Sequence, residues 1–527
     1  MQQEIEGKLS KLKEFTIEEY YEAFCDTEQW LEDLERLADP KQEHRDEIKG
    51  LCEKLTKDFS EYPVWMKIHL LSFCMKCSEE LQYAEWLMQE ILDADYNVLG
   101  EYNKYFLYWQ ITVSTFEHTH LQSEKTEQGR AVLYRELYDA FYHALHLEQY
   151  LYIPVEERNQ NLVFLFTSQF LTELHAPTKT ICDRAYFLQK YLGKRAVIIN
   201  TAMLLPEKGD TPFYDRQRGE YLPDYRTVSQ ITFRGEQFEY IQCENNMPDL
   251  NTIQIFLQKV KEEKPYCIIS IGDGNICADL CGNIVPEIAV GTVHSEVAVT
   301  TARYQVTEKE LSESDQKILE ILGVEPENVK RALFTYVFKE QEHHFKRAEL
   351  GLSEDKMILL VTGWRLGDEA DEEFLHMLEE IVCTIHETEV VFMGLFEGYE
   401  KSIERFPRLS ARSHYFPYQE DALAVTECCD IYVNPKRKGG GSSAAEALFM
   451  GLPVVTLPFG DVAAAAGERF QVKDYEEMKD QIRRYCQDKA FYNEMASFAR
   501  QRAEDLTDSK THFCELFREI EQSPDFW

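Results

Sequence analysis

The sequence predicts an α/β protein in which two Rossmann-like domains follow an all-α domain. Three observations carry that reading. From about Ile17 to Leu151, apolar and aromatic residues recur at three- and four-residue spacing with few glycines or prolines. From about Arg158 onward, short apolar runs alternate with helical stretches, as parallel α/β folds require. Between Asn434 and Asp461, the stretch NPKRKGGGSSAAEALFMGLPVVTLPFGD places a strand exit, three glycines, a helix and a new strand in the order of one parallel unit.

The elements follow in chain order. EYYEAFCDTEQWLEDLERL, VWMKIHLLSFCMKCSEELQYAEWLMQEIL and AVLYRELYDAFYHALHLEQYL read as antiparallel amphipathic helices with aromatic contacts, setting a first domain at residues 1–157. LVFLFTSQF is a short strand, and a helix begins near Pro177. RAVIINTAM is the next strand, SQITFRGEQFEYIQCE a hairpin or edge pair, NTIQIFLQKVKEEKP a helix and YCIISIGDGN a buried strand ending in a turn, which completes a domain over 158–335. A second such domain, 336–502, opens at MILLVTGWRLGDE and runs through TEVVFMGLF and DALAVTECCDIYVNP. THFCELFREIEQ, within 503–527, reads as a terminal helix.

Composition narrows the function classes. The 527 residues hold 94 acidic and 56 basic side chains, a formal charge of −38, which repels nucleic acid and anionic lipid over most of the surface. No apolar run reaches bilayer length, and MQQEIEGKLSKLKEF is a charged amphipathic start rather than a signal peptide, so a cytoplasmic location is the expectation. The fourteen cysteines are scattered, as free thiols would be. Cys74 and Cys77 form a CxxC without a second pair at zinc-finger spacing, and they read as helix-face residues. Asp93 and Asp95 form a DxD on a helix end, where surface acids are the plainer reading.

The glycine loop carries the chemistry. Backbone approaches a ligand closely where side chains are absent, and a helix amino end offers unpaired N–H groups to an anion. Gly440, Gly441, Ser442 and Ser443 would thus cradle a diphosphate, while Glu446, about one turn on, would accept ribose hydroxyls. Lys436 and Lys438, beside the loop, would neutralise the same charge. The plainer alternative is a flexible turn with a favourable first-turn acid.

This stretch resembles the donor-site signature of GT-B glycosyltransferases, especially bacterial enzymes of glycosyltransferase family 4, which carry NPxRxGGGxSxxEAxxxGxPVVxxxxGDV. The resemblance is strong over the last third of the chain and looser in the middle. It implies that the two Rossmann-like domains face each other across a cleft, that the terminal helix in 503–527 packs back toward the first of them, that Ser442 and Ser443 hold the nucleotide diphosphate, and that Glu446 holds the ribose. Arg365, just past the first strand of the second domain, stands where relatives carry an arginine that meets the donor phosphates, a task suited to a guanidinium fork. Tyr418 and Gln419 occupy the loop that holds the nucleobase in relatives.

Two departures bear on mechanism. Family members that retain configuration place a second glutamate eight positions before the ribose glutamate, where this chain has Lys438, so retention and inversion both stay open. The companion lysine that relatives place five or six residues after the arginine is replaced by Ala370 or Asp371, and the Lys436 to Lys438 cluster is expected to substitute. On the acceptor side, LHAPTK and TVHSEVAVTT supply His175 and His294 as candidate bases for an inverting reaction, with Asp273 as a third candidate.

The reading is a hexosyltransferase using a nucleotide-sugar donor, of UDP type, with no separate cofactor and no metal. The acceptor is expected to be a protein, because helical amino-terminal domains also occur in bacterial adhesin N-glycosyltransferases and O-GlcNAc transferases. A glycan acceptor in cell-surface polysaccharide assembly is the alternative. A nucleotide-sugar epimerase of GT-B shape and a non-catalytic GT-B subunit in an oligomer are rivals from other classes.

Overall fold

The computed structural model describes Gln29 and residues 45–57, 59–172 and 175–526. The expected helix EYYEAFCDTEQWLEDLERL lies outside the described residues except at Gln29. Among the described residues, five α-helices run from Arg45 up to the first sheet: α1 (Arg45–Leu55), α2 (Val64–Ser78), α3 (Leu81–Asp93), α4 (Glu101–Glu117) and α5 (Glu124–Ala144). Ser123 starts α5 with a reciprocal cap to Thr126, satisfying donors that the first turn leaves open. Cys74 is buried on α2 with Cys77 half-buried near its end, and neither joins a metal-ligating group among the described residues. Asp93 closes α3, and Asp95 accepts from the Asn97 N–H at 2.7 Å, the work of an ordinary turn.

An eight-stranded sheet follows: β1 (Asn159–Thr167), β2 (Arg195–Asn200), β3 (Gln230–Phe233), β4 (Glu236–Gln242), β5 (Pro265–Ile271), β6 (Glu287–Val290), β7 (Tyr304–Thr307) and β8 (Val329–Arg331). Its order is β3-β4-β2-β1-β5-β6-β7-β8, and every pair is parallel except the β3–β4 hairpin. The main helices of this layer are α6 (Ala176–Leu192), α7 (Leu250–Glu263), α8 (Ile276–Cys281) and α9 (Glu313–Leu322). Asp249 and Asn275 cap α7 and α8 through their side chains.

The second sheet contains β9 (Met357–Gly363), β10 (Thr388–Gly394), β11 (Ser413–Phe416), β12 (Ile431–Val433) and β13 (Val454–Val455), all parallel, in the order β11-β10-β9-β12-β13. Around it run α10 (Leu366–Glu369), α11 (Glu372–Thr384), α12 (Tyr399–Glu404), α13 (Pro407–Ser410), α14 (Ala422–Thr426), α15 (Gly441–Phe449), α16 (Gly460–Ala466), α17 (Tyr475–Gln487) and α18 (Lys489–Thr507). The last helix, α19 (Ser509–Glu521), returns to α6, burying Phe513, Phe517 and Ile520 against the first sheet.

The helical layer does not stand apart. Its buried residues form one continuous core with a face of the first sheet, including Leu162, Phe164, Phe166, Val197 and Ile199. Polar anchors reinforce the junction: Tyr105 donates to the Gly274 carbonyl at 2.7 Å and Tyr134 to Asp279 at 2.9 Å. Aromatic residues expected to fill helix–helix contacts also seat the layer on the segments that follow β5. A buried tyrosine combines apolar area with one hydroxyl that needs a partner, which suits that seam.

Candidate functional site

In the second sheet, β9 has β10 on one side and β12 on the other, so connections leaving β9 and β12 diverge and open a crevice at their carboxyl ends. The crevice is a cavity of about 580 Å³ closed by loops of the first sheet domain. The β9 exit supplies Trp364 and Arg365, and the β12 exit supplies the glycine loop and the start of α15. From the opposite side come the start of α6, with His175 and Lys179, and the loop after β6, with His294.

Gly440 caps α15 at φ 95°, a conformation that strains any residue with a Cβ. Its carbonyl accepts the first helical bond, from Ala444 N at 3.1 Å. The N–H groups of Gly441, Ser442 and Ser443 precede that bond and have no acceptor among the described residues. A side chain at Gly441 would collide with Tyr336 and crowd His294 Nε2, so only glycine lets the helix end reach the cavity. The Ser443 hydroxyl is already engaged, donating to the Gly440 carbonyl at 2.9 Å and meeting the Tyr432 hydroxyl at 2.8 Å. Ser442 lines the cavity beside it, and so does Glu446, whose carboxyl is pushed above the usual range by burial while Lys179 pulls it back.

The expected cationic cluster divides three ways. Lys436 lies outside the cavity with its ammonium over the Phe459 ring. Lys438 is buried against Glu296 of the facing domain, 2.7 Å away. Both positions correct the expectation that these lysines neutralise a diphosphate, because one packs on an aromatic ring outside the cavity and the other is taken by a carboxylate of the facing domain. Arg437, between them, reaches the cavity wall but is spent on the scaffold. It donates to Asn434 Oδ1 at 2.8 Å, Glu369 Oε2 at 2.7 Å, the Thr362 carbonyl at 2.7 Å and the Tyr432 hydroxyl at 2.6 Å. Arg365 lines the cavity with its guanidinium over the Phe116 ring at 4.8 Å and one bond to Glu369 at 3.0 Å. Its Nε is buried without a hydrogen-bond partner.

Both histidines border the cavity in states that do not suit a general base. Burial, aided by the Lys179 charge, lowers His175 to about 4, and its Nδ1 lies 3.0 Å from Thr178 Oγ1. Such a ring is a weak proton acceptor near neutral pH. His294 is held above its ordinary value: burial opposes its charge, but Asp461 and Glu308 outweigh that, with Glu308 Oε2 2.5 Å from Nδ1. Its Nε2 meets the Tyr336 hydroxyl. A ring held toward its charged form is a poor acceptor for a proton, and it favours positive charge beside the glycine loop instead. Asp273 lies near Arg130 and Glu296 and is raised mainly by burial.

The raised His294 has a measurable consequence. Its charge stabilises the fold fully below the ordinary histidine value of about 6.5, and that contribution is lost as pH rises through the higher folded value. We therefore expect unfolding free energy, from urea melts, to fall above about pH 6.5 more steeply in the wild type than in His294→Gln. Equal slopes would remove the charged imidazole from the seam.

Tyr418 stands half exposed in the cavity, edge-on to Trp364 with ring centroids 5.4 Å apart. Gln419 also lines it, with its amide donating to the Pro417 carbonyl at 2.8 Å. Sequence reasoning missed Lys179, although it lies in the quoted LHAPTK, and Trp364, in the quoted TGWRLGDE. It also missed Phe116, for which a residue ending a helix some 250 positions away in sequence offered no signal. Phe116 brings the helical layer directly to the glycine loop, since a Cβ on Gly439 would stand 3.2 Å from its ring.

Residues 356–488, the second sheet domain, match the family model described as Glycosyl transferases group 1. Among solved structures, a mutant O-GlcNAc transferase of Thermobaculum terrenum is similar over 86% of each chain at 12% identity, with a TM-score of 0.55. That share exceeds the two sheet domains, so the likeness in fold extends into the helical layer. A Rickettsia africae glycosyltransferase aligns with 69% of this chain and 100% of its own at 11% identity and a TM-score of 0.49. The Anabaena protein Alr3699/HepE, solved with UDP and glucose, covers the same shares at 13% identity and a TM-score of 0.46. No curated protein matches by sequence. The architecture is the GT-B arrangement, two Rossmann-like domains across a cleft, with an added helical region.

Proposed function

We propose that the protein transfers a hexose-type sugar from a nucleotide-sugar donor, UDP-linked, to a hydroxyl or amide of a protein acceptor. One observation carries the reading: the open amino end of α15 and the Glu446 carboxylate border the same cavity, at the switch point of a domain that matches a glycosyltransferase model. The N–H groups of Gly441 to Ser443 would take the diphosphate and Glu446 the ribose. Trp364 and Tyr418 would flank the base. As the bond from the anomeric carbon to the diphosphate oxygen breaks and the acceptor atom bonds to that carbon, negative charge grows on the departing diphosphate. Arg365, Lys179 and His294, which line the cavity, would meet it, and the acceptor proton would leave to solvent or to a group the acceptor brings.

The protein acceptor draws support from the helical layer, whose Phe116 enters the cavity wall and whose fold likeness extends to an O-GlcNAc transferase. A glycan acceptor remains the second choice within the class. A binding partner without turnover is favoured by a separate observation, since Arg365 and Ser443 already have partners inside the protein.

Calorimetric titration with UDP, GDP and ADP sugars separates these readings. Saturable binding of one donor, with sugar appearing on cellular proteins by mass spectrometry, supports the proposal; donor binding with no product supports the partner. Arg365→Ala is expected to lower kcat by roughly a hundred-fold or more, the range for removing one donor to a developing oxyanion, while affinity for free uridine stays within about two-fold. Equal losses in both would place Arg365 in ground-state binding.

A further inference from the structure

A second cleft, of about 760 Å³, separates the end of the helical layer from the first turns of the second sheet domain. Acids dominate its walls, among them Glu117, Asp368, Asp371 and Glu373, whereas Lys479 and Arg405 are tied to Glu380 and Glu372. At its rim, the ligand-capable atoms of Glu79, His118 and His120 lie within 4.8 Å of one another.

Local folding brings these three together from two helix ends. α2 stops at Ser78, and Glu79 follows in left-handed backbone at φ 56° with its N–H returned to the Met75 carbonyl. α4 stops at Glu117, and His118 caps it with its N–H on the Ser114 carbonyl. His120 sits in the 3-10 turn Thr119–Leu121, anchored by the fully buried Leu121. The two rings stand 5.8 Å apart at 60°, so they converge rather than stack. Two imidazoles and a carboxylate form a donor set suited to zinc and its first-row neighbours rather than to magnesium or calcium, which favour all-oxygen shells. Ligand atoms around tetrahedral zinc are about 3.3 Å apart for bonds near 2.05 Å. Closing the present spacing thus takes a change of up to about 1.5 Å between ligand atoms, within reach of side-chain rotation.

We propose that Glu79, His118 and His120 bind one zinc-class divalent cation, which fastens the last turn of α2 to the last turn of α4. The fourth coordination position faces the acidic cleft, whose negative field gathers cations. Phe116, two residues before His118, carries the Arg365 guanidinium at 4.8 Å. The cation therefore also fixes the end of α4 that supports a wall of the larger cavity. The site is independent of the donor reading and takes no part in the transfer.

The test uses the full chain stripped of metal by a chelator and dialysed. Zinc titration by calorimetry is expected to give one equivalent per chain, and cobalt to develop visible ligand-field bands with the same stoichiometry. His118→Ala with His120→Ala should lose that equivalent, and Glu79→Gln should weaken binding by more than the roughly ten-fold cost of losing an outer-shell partner. Zinc should raise the Tm of the wild type and leave that of the double variant unchanged. Glu79 and His120 are exposed, so the single variants Glu79→Gln and His120→Ala, checked by circular dichroism, keep the test open if the double variant folds poorly. Failure of the wild type to take up zinc overturns the proposal. Retention of the equivalent in the variants overturns it too, assigning the metal to other histidines such as His343 and His344.

Discussion

Replacing Glu446 by alanine is expected to weaken nucleotide-sugar binding by roughly a hundred-fold or more while leaving the protein at least as stable. A charge-assisted hydrogen bond contributes about 1.5–3 kcal/mol, and a carboxylate holding two ribose hydroxyls makes two of them. The stability half of the prediction comes from the unliganded site. Burial raises this carboxyl above its ordinary range, and Lys179 only partly offsets that. An acid with a raised folded value disfavours the native state at pH above that value, because the unfolded chain ionises it more readily. Removing it therefore relieves a cost in the absence of ligand. Calorimetry with the donor and a thermal melt without it check the two halves. A large fall in Tm together with lost binding would make Glu446 a structural residue and withdraw the ribose assignment. Glu446→Gln is the finer probe, since the amide keeps the shape but gives up the charge.

The largest loss of stability is expected at Arg437. Removing it by Arg437→Met should cost about 3–5 kcal/mol, the range for breaking a buried ion pair and leaving its partner uncompensated. Four acceptors converge on its guanidinium from β9, α10, β12 and the loop that follows. It is thus the bolt that sets the glycine loop against the exits of β9 and β12. Arg437→Lys should not rescue it, because a single ammonium cannot span a planar fork of acceptors. Urea denaturation measures the effect, and adding Glu369→Gln to Arg437→Met should recover part of it by removing the stranded charge. A solvent-facing phosphate ligand would instead change stability by no more than about 0.5 kcal/mol.

These two residues mark how far the sequence can be read. The position of Glu446 was legible because it depends on spacing within one helix: three glycines, a helix start and an acid one turn on need no information from elsewhere in the chain. Arg437 was legible only as part of a basic run. Whether a charge in KRK faces ligand, solvent or scaffold depends on which way the loop turns, and on Glu369 and Thr362 lying opposite. The same holds for His294. TVHSEV announces a loop histidine, but the rise in its pKa is set by Asp461 and Glu308 acting against burial, and these acids come from separate segments.

The sequence by itself determined the two α/β domains, the all-α region before them and a glycine loop that opens a helix at a strand exit. Hydrophobic period, helix caps and glycine placement are local quantities, and they act over a few residues. Only the tertiary structure decided that the helical layer shares its core with the first sheet, that Phe116 and Lys179 enter the cavity from across the cleft, and that Lys438 pairs with Glu296 instead of facing it. Those outcomes are set by desolvation and by contacts between segments hundreds of residues apart, where each charge takes whichever partner the packing leaves within reach.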